Sequence, residues 1–171
     1  GLVSCYGTDT KKFHESLLEG ISGVQMVDRI RTDESRLPVQ FGACTHFEAK
    51  DYLDPKQAKR YDRVITQAMV ATQKALISSD LDKTSIEKLE RSSIGVLVGS
   101  GIGGMNAYVD GVTNYNAKGY KRVSPFFVPC IITNMAGAII SMEYGLEGPN
   151  YSISTACATS NNCFHAAAHH I

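Results

Sequence analysis

Of five cysteines, Cys5, Cys44, Cys130, Cys157 and Cys163, Cys157 has the neighbours that a reacting thiol needs. It stands in "YSISTACATS" (151–160), where every residue from Ser152 onward is small except Ile153 and Cys157 itself, directly after a Gly-Pro-Asn turn. "YSIS" reads as the end of a short buried strand and "CATSNNCFHAAAHHI" as a helix, so the sulfur is expected at a strand-to-helix turn beside unpaired backbone N–H groups. A helix start favours the nucleophilic thiolate. Small flanking residues keep such a turn tight and leave space for an acyl group, as in the nucleophile elbow of serine hydrolases. Spacing alone leaves a second reading open, because a free cysteine is often a small apolar core residue and Cys157 would then be a buried, inert thiol.

Two other constellations compete for chemistry. Cys157, Cys163, His165, His169 and His170 invite a zinc reading, with His165 and His169 on one helical face and Cys163 seven residues before His170. On a single helix those two pairs point in different directions and no short two-cysteine knuckle is present, so the expectation is no metal site, but two partly exposed imidazoles and a packed thiol. Gly99, Gly101 and Gly104 in "GSGIGG" match G-x-G-x-x-G after an expected strand. The ribose-binding acid due about 20 residues later is missing from "GYKRVSPFF", and the glycines are read instead as sites where backbone passes close to a ligand or a neighbouring helix.

These residues must be positioned by a frame of helices and strands. Thr8 caps an expected short amphipathic helix through "DTKKFHESLLEG", stopped at Gly20. A strand is expected near 40–48. Asp54-Pro55 starts a long helix expected over about 55–78, on the spacing of Tyr61, Val64, Ile65, Ala68, Met69, Thr72, Ala75 and Leu76. "SIGVLVGS" (93–100) reads as a strand buried on both faces, which implies a parallel sheet with helical crossovers. Beyond it the chain predicts a helix ending at Gly119, a Pro-broken extended segment "YKRVSPFFVPC", a helix through "TNMAGAIISMEY" stopped by Gly145 or Gly148, then the strand and helix around Cys157.

Composition narrows the partners. Lys+Arg and Asp+Glu each number 17 in 171 residues, so neither nucleic acid nor an anionic membrane surface is an expected partner. Hydrophobic content of 43% is ordinary for one globular domain, and no apolar run approaches the ~18 residues of a spanning helix. Scattered cysteines, odd in number, point to reduced thiols in an intracellular or plastid-like compartment. Neither "GLVSCYG" nor "HAAAHHI" reads as a finished terminus, and a fragment truncated at both ends is the expectation.

Three segments in order, "GVLVGSGIGGM", "SPFFVPCIITNMAG" and "GPNYSISTACATSNN", closely resemble the condensing β-ketoacyl-[acyl-carrier-protein] synthases of type I/II, above all the plant plastid and cyanobacterial forms. The resemblance runs from "GLVSCYG" to the final "HHI". It implies a thiolase-like α/β/α/β/α fold, of which residues 1–171 form an incomplete first half, a β-ketoacyl synthase amino-terminal domain. It also makes Cys157 the acyl-accepting nucleophile, with its own backbone N–H as one arm of the oxyanion hole. Ile102 matches a residue lining the acyl pocket, and Phe127 one that reaches the pocket of the partner subunit in a homodimer.

The family reaction is a ping-pong decarboxylative Claisen condensation. It uses acyl- and malonyl-loaded acyl carrier protein and no cofactor. Its decarboxylation step depends on two histidines and a supporting lysine from the second half. None of His14, His46, His165, His169 or His170 lies in a matching motif, so residues 1–171 alone are expected to perform no condensation. The resemblance implies fatty-acid elongation, in the plastid stroma of a plant or the cytoplasm of a bacterium. The alternatives are a non-catalytic truncated partner that dimerises with a complete synthase, and a polyketide-type condensing domain.

Overall fold

The computed structural model describes residues 1–28, 38–45 and 47–171. The first helix, α1 (Thr10–Leu18), is capped by Asp9, whose side chain accepts the Lys12 N–H at 2.9 Å. Thr8 is not the cap, because its hydroxyl is bonded to Tyr52 Oη at 3.0 Å. Strands β1 (Gln25–Met26) and β2 (Phe41–Gly42) pair antiparallel, Gln25 opposite Gly42. The expected strand at 40–48 is therefore confined to two residues, followed by a 3-10 turn at Ala49–Asp51. His46 and residues 29–37 lie outside the described residues.

The long helix expected over 55–78 is two helices. α2 (Pro55–Arg60) starts on an Asp54 cap with proline at its first position, as read from sequence. It ends at Tyr61, which is extended at φ −91°, ψ 148°. Asp62 then caps α3 (Arg63–Ser78) by accepting the Val64 N–H. The apolar series that begins at Tyr61 belongs to the break and to α3, whose Ile65 and Met69 enter the core, whereas α2 buries no residue.

After α4 (Lys83–Glu87), β3 (Val96–Leu97) pairs in parallel with β4 (Asn150–Tyr151), in the register Val96 to Asn150 and Leu97 to Tyr151. Both strands are shorter than expected, and neither is buried on two faces: β3 is half-buried and β4 exposed. Between them run α5 (Met105–Lys118), α6 (Phe127–Ile131) and α7 (Met135–Tyr144), which makes the crossover that a parallel pair requires.

Gly119 and Gly145, at φ +77° and +65°, end α5 and α7 where only glycine turns freely into left-handed space. The segment expected to be extended contains α6 instead. Ser124 starts it, its carbonyl accepting the Phe127 N–H at 3.0 Å and its hydroxyl the Phe126 N–H at 3.1 Å. Pro129 is tolerated because it falls within the first turn, where no intrahelical N–H is needed.

The core forms where α3 and α7 meet under the β3 strand: Ile65 and Met69 pack against Ala136, Ile139 and Ile140, with Val96 and Val98 completing the layer. Ile65 and Ile140 are each 1% exposed, and burying a side chain of that kind is worth about 1.5–3 kcal/mol. The expected helix after β4 is α8 (Thr159–Ala168), preceded by a 3-10 turn at Ala156–Ala158. Among the described residues no helix is long and apolar enough to cross a membrane.

Candidate active site

The α7–β4 connection delivers the chain to the start of α8, and Cys157 sits in the middle of the 3-10 turn that joins them. Its side chain is exposed, whereas Cys130 and Cys163 are buried and Cys5 and Cys44 intermediate. The preceding residue, Ala156, has φ +49°, a left-handed conformation that an L-residue adopts only when its surroundings hold it. That kink turns Cys157 outward. Cys157 is thus not buried among the described residues, while Cys163, on the inner face of α8, takes the packing role.

Hydrogen bonds bracket the turn on both sides. Thr155 N–H donates to Thr159 Oγ1 at 2.9 Å, Asn162 Nδ2 donates to Thr155 Oγ1 at 2.7 Å, and Ala158 N–H donates to Thr155 O at 3.1 Å. Sequence reasoning did not single out Thr155, Thr159 or Asn162. Hydroxyl and amide side chains around a helix start are a local signal for such bonds.

The glycine loop 99–104 lies against this arm. Ser154 Oγ donates to Gly101 O at 3.3 Å. A Cβ on Gly99 would run into the Thr159 methyl, and would stand 2.8 Å from both Cys163 Sγ and Ile153 O. A Cβ on Gly103 or Gly104 would collide with the carbonyls of Ile131 and Cys130. Protein atoms thus fill the space that a phosphate would need at Gly99, Gly103 and Gly104, and these glycines serve close packing. Ile102, next to the bonded Gly101 on the same loop, is 71% exposed.

Phe127 stands elsewhere. It covers Gly111 of α5, stacks with Tyr108 at a ring separation of 6.3 Å, and lines a cavity of about 270 Å³ with Arg60, Asn106, Asn114 and Arg122. Neither Cys157 nor Ile102 lines that cavity. The structure therefore brings Ile102's loop to the Cys157 arm, while Phe127 lines a cavity that neither Cys157 nor Ile102 reaches.

The zinc constellation is divided. His165 and His169 face one another with their Nε2 atoms 3.3 Å apart, His170 Nε2 meets Tyr151 Oη at 2.9 Å, and Cys163 is buried. No group of three or more His, Cys, Asp or Glu side chains gathers as a metal set among the described residues.

The fold around this exposed cysteine, a parallel strand pair joined through a left-handed turn to a helix, is of the α/β class. The chain belongs to the β-ketoacyl synthases: the family described as "Beta-ketoacyl synthase, N-terminal domain" matches residues 1–171. It is 46% identical over 172 residues to the chloroplastic 3-oxoacyl-[acyl-carrier-protein] synthase I of Arabidopsis thaliana, covering all of this chain and 36% of the relative. It is 38% identical over 162 residues to 3-oxoacyl-[acyl-carrier-protein] synthase 2 of Staphylococcus aureus, covering 95% of this chain and 39% of the relative.

The chain thus spans somewhat over a third of the length of these relatives. Among solved structures, it superposes with a TM-score of 0.76 and 19% identity on a chain of a type II PKS acyl-carrier protein in complex with its ketosynthase, covering 97% of this chain and 43% of that one. The fold is the thiolase-like α/β fold of the ketosynthases, as the resemblance implied.

Proposed function

We propose that Cys157 is the acyl-accepting nucleophile of a 3-oxoacyl-[acyl-carrier-protein] synthase of fatty-acid elongation. The observation that carries the reading is the outward turn of Cys157 at the left-handed Ala156, immediately before α8, in a chain whose whole length matches the family. In the first half-reaction the Cys157 thiolate attacks the carbonyl carbon of an acyl thioester on acyl carrier protein. The new C–S bond forms at Cys157 and the carrier's thiolate leaves. The Cys157 backbone N–H acts as one donor to the oxyanion that develops on the way.

In the second half-reaction malonyl-carrier protein loses CO2. The resulting carbanion attacks the Cys157 thioester, so that a C–C bond forms as the cysteine leaves as thiolate and the chain grows by two carbons. The two histidines and lysine of the decarboxylation step have no counterparts in residues 1–171, which by themselves perform no condensation. Ile102 borders the acyl group and Phe127 serves the pocket of the partner in a homodimer. The chloroplastic names of the plant relatives support the plastid stroma if the source is a plant, and the bacterial relatives support the cytoplasm otherwise.

The test is to incubate the full-length protein with labelled fatty-acyl carrier protein and map the labelled peptide. Label is expected on the peptide containing Cys157 and is expected to vanish in Cys157→Ala. Label on Cys163, or persisting in Cys157→Ala, defeats the assignment.

A further inference from the structure

We propose that Thr159 is a positioning residue that holds Cys157 in its attacking orientation, with the hydroxyl and the methyl group doing separate jobs. The inference rests on Cys157 being the acyl-accepting nucleophile. Thr159 is 7% exposed, two residues beyond Cys157 and at the first position of α8. Its Oγ1 accepts the Thr155 N–H at 2.9 Å, which closes a ring of backbone and side chain around Ala156, Cys157 and Ala158. Thr155 is tied down a second time, its hydroxyl accepting Asn162 Nδ2 at 2.7 Å. The Ala156 carbonyl accepts the Thr159 N–H, which fastens the other end of the turn.

Between these fixed points lies the one residue of the turn with positive φ, Ala156 at +49°. An alanine does not rest there of its own accord. The Thr155–Thr159 bond supplies the restraint, because releasing the Thr155 N–H lets the turn relax toward ordinary helical backbone and swings the thiol with it. The methyl group faces the opposite way, into the space that Gly99 leaves by having no side chain. Thr159 therefore couples the nucleophile turn through its hydroxyl and the glycine loop through its methyl.

The two contacts can be separated by substitution. Thr159→Val keeps the shape toward Gly99 and loses the acceptor, and Thr159→Ser does the reverse. In the full-length protein, Thr159→Val is expected to slow single-turnover acylation of Cys157 by about ten- to a hundredfold, the range seen when reacting atoms are displaced by about an ångström. The KM for the acyl-carrier protein should be unchanged, since Thr159 is buried and the substitution leaves the surface as it was. Thr159→Ser is expected to recover most of that rate and to lower the thermal midpoint instead.

A Thr159→Val protein that acylates at the wild-type rate overturns the proposal, and so does a Thr159→Ser protein as slow as the valine variant, which would make Thr159 a packing residue only. If Thr159→Val does not fold, Asn162→Ala removes the second tie to Thr155 without touching the buried position. A slowed acylation there supports the clamp and a wild-type rate overturns it. Alkylation of Cys157 by iodoacetamide is read in parallel and needs no acyl substrate. Should the wild-type protein take up no acyl group, the nucleophile reading has failed, and the alkylation rates still decide the clamp: a change of more than about threefold in Thr159→Val but not in Thr159→Ser supports it, and equal rates overturn it.

Discussion

The carboxylate of Asp62 accepts the backbone N–H of Ala107 at 2.8 Å, a bond that joins the start of α3 to the first turn of α5 across 45 residues of chain. Its other oxygen accepts the Val64 N–H at 3.0 Å. Asp62 is 8% exposed, and the two helix starts supply the donors that a buried carboxylate requires. Since α5 begins immediately after the glycine loop, Asp62 also fixes where that loop enters the helix.

Asp62→Ala is expected to destabilise the protein by about 2–4 kcal/mol, the sum of a lost helix cap and a buried N–H left without an acceptor. Asp62→Asn retains one acceptor and should cost about half as much. Urea unfolding of the three proteins measures the order, and an alanine variant as stable as wild type would show that the bridge contributes nothing.

Gly99→Ala should be poorly tolerated. The added methyl meets the Thr159 methyl, Cys163 Sγ and the Ile153 carbonyl, two of which belong to α8 and one to rigid backbone. The expected loss is about 1–3 kcal/mol, accompanied by slower alkylation of Cys157 as α8 is displaced. Gly101→Ala, where nothing stands within 4 Å, is the control and is expected to be near neutral.

Thiol reactivity should follow burial. Under native conditions Cys157 is expected to be alkylated first, and Cys130 and Cys163 only on unfolding, since they are 4% and 9% exposed. Burial also pushes the Cys130 thiol up, against a weaker opposing hydrogen bond from the Asp62 backbone, so little of it is thiolate at neutral pH. Mass mapping after brief iodoacetamide treatment reads the order directly.

The Lys83–Glu143 pair, 2.6 Å apart, ties α4 to α7. The hydrogen bond from Lys83, helped by a second from Gln57, holds the Glu143 carboxyl below its ordinary range. A carboxyl with a lowered folded-state pKa adds stability that is fully present above the unfolded value, about 4.3 for a glutamate, and is lost as pH falls through the folded value. With Lys83 more than half exposed, solvent screening limits the contribution to about 0.2–1 kcal/mol. Glu143→Gln should lower stability by that amount at pH 7 and converge on wild type in acid. A difference that persists undiminished at low pH would assign it to packing.

Much of the frame was legible because its signals lie next to one another in the chain. Asp54-Pro55 starts a helix, Gly119 and Gly145 stop two more, and small residues flank Cys157 at a helix start. These features act within a few residues, so composition and spacing carry them. The order of strand, helices, strand and helix around Cys157 follows from them.

Tertiary structure decided what depends on distant atoms. The Asp54-Pro55 start and the apolar series from Tyr61 onward read as one helix, but the chain breaks at Tyr61 and Asp62, and the Asp62 carboxylate is held by an amide 45 residues away. The left-handed Ala156 has no signal of its own, since alanine prefers a helix. It is held there by Thr159 and Asn162 around the turn and by a space that only Gly99 leaves open. The sequence by itself determined which residue is the nucleophile candidate and what kind of turn carries it. The direction in which that thiol points was decided only when the glycine loop and α8 closed against each other, because the contacts that outweigh alanine's local preference do not exist until the chain is folded.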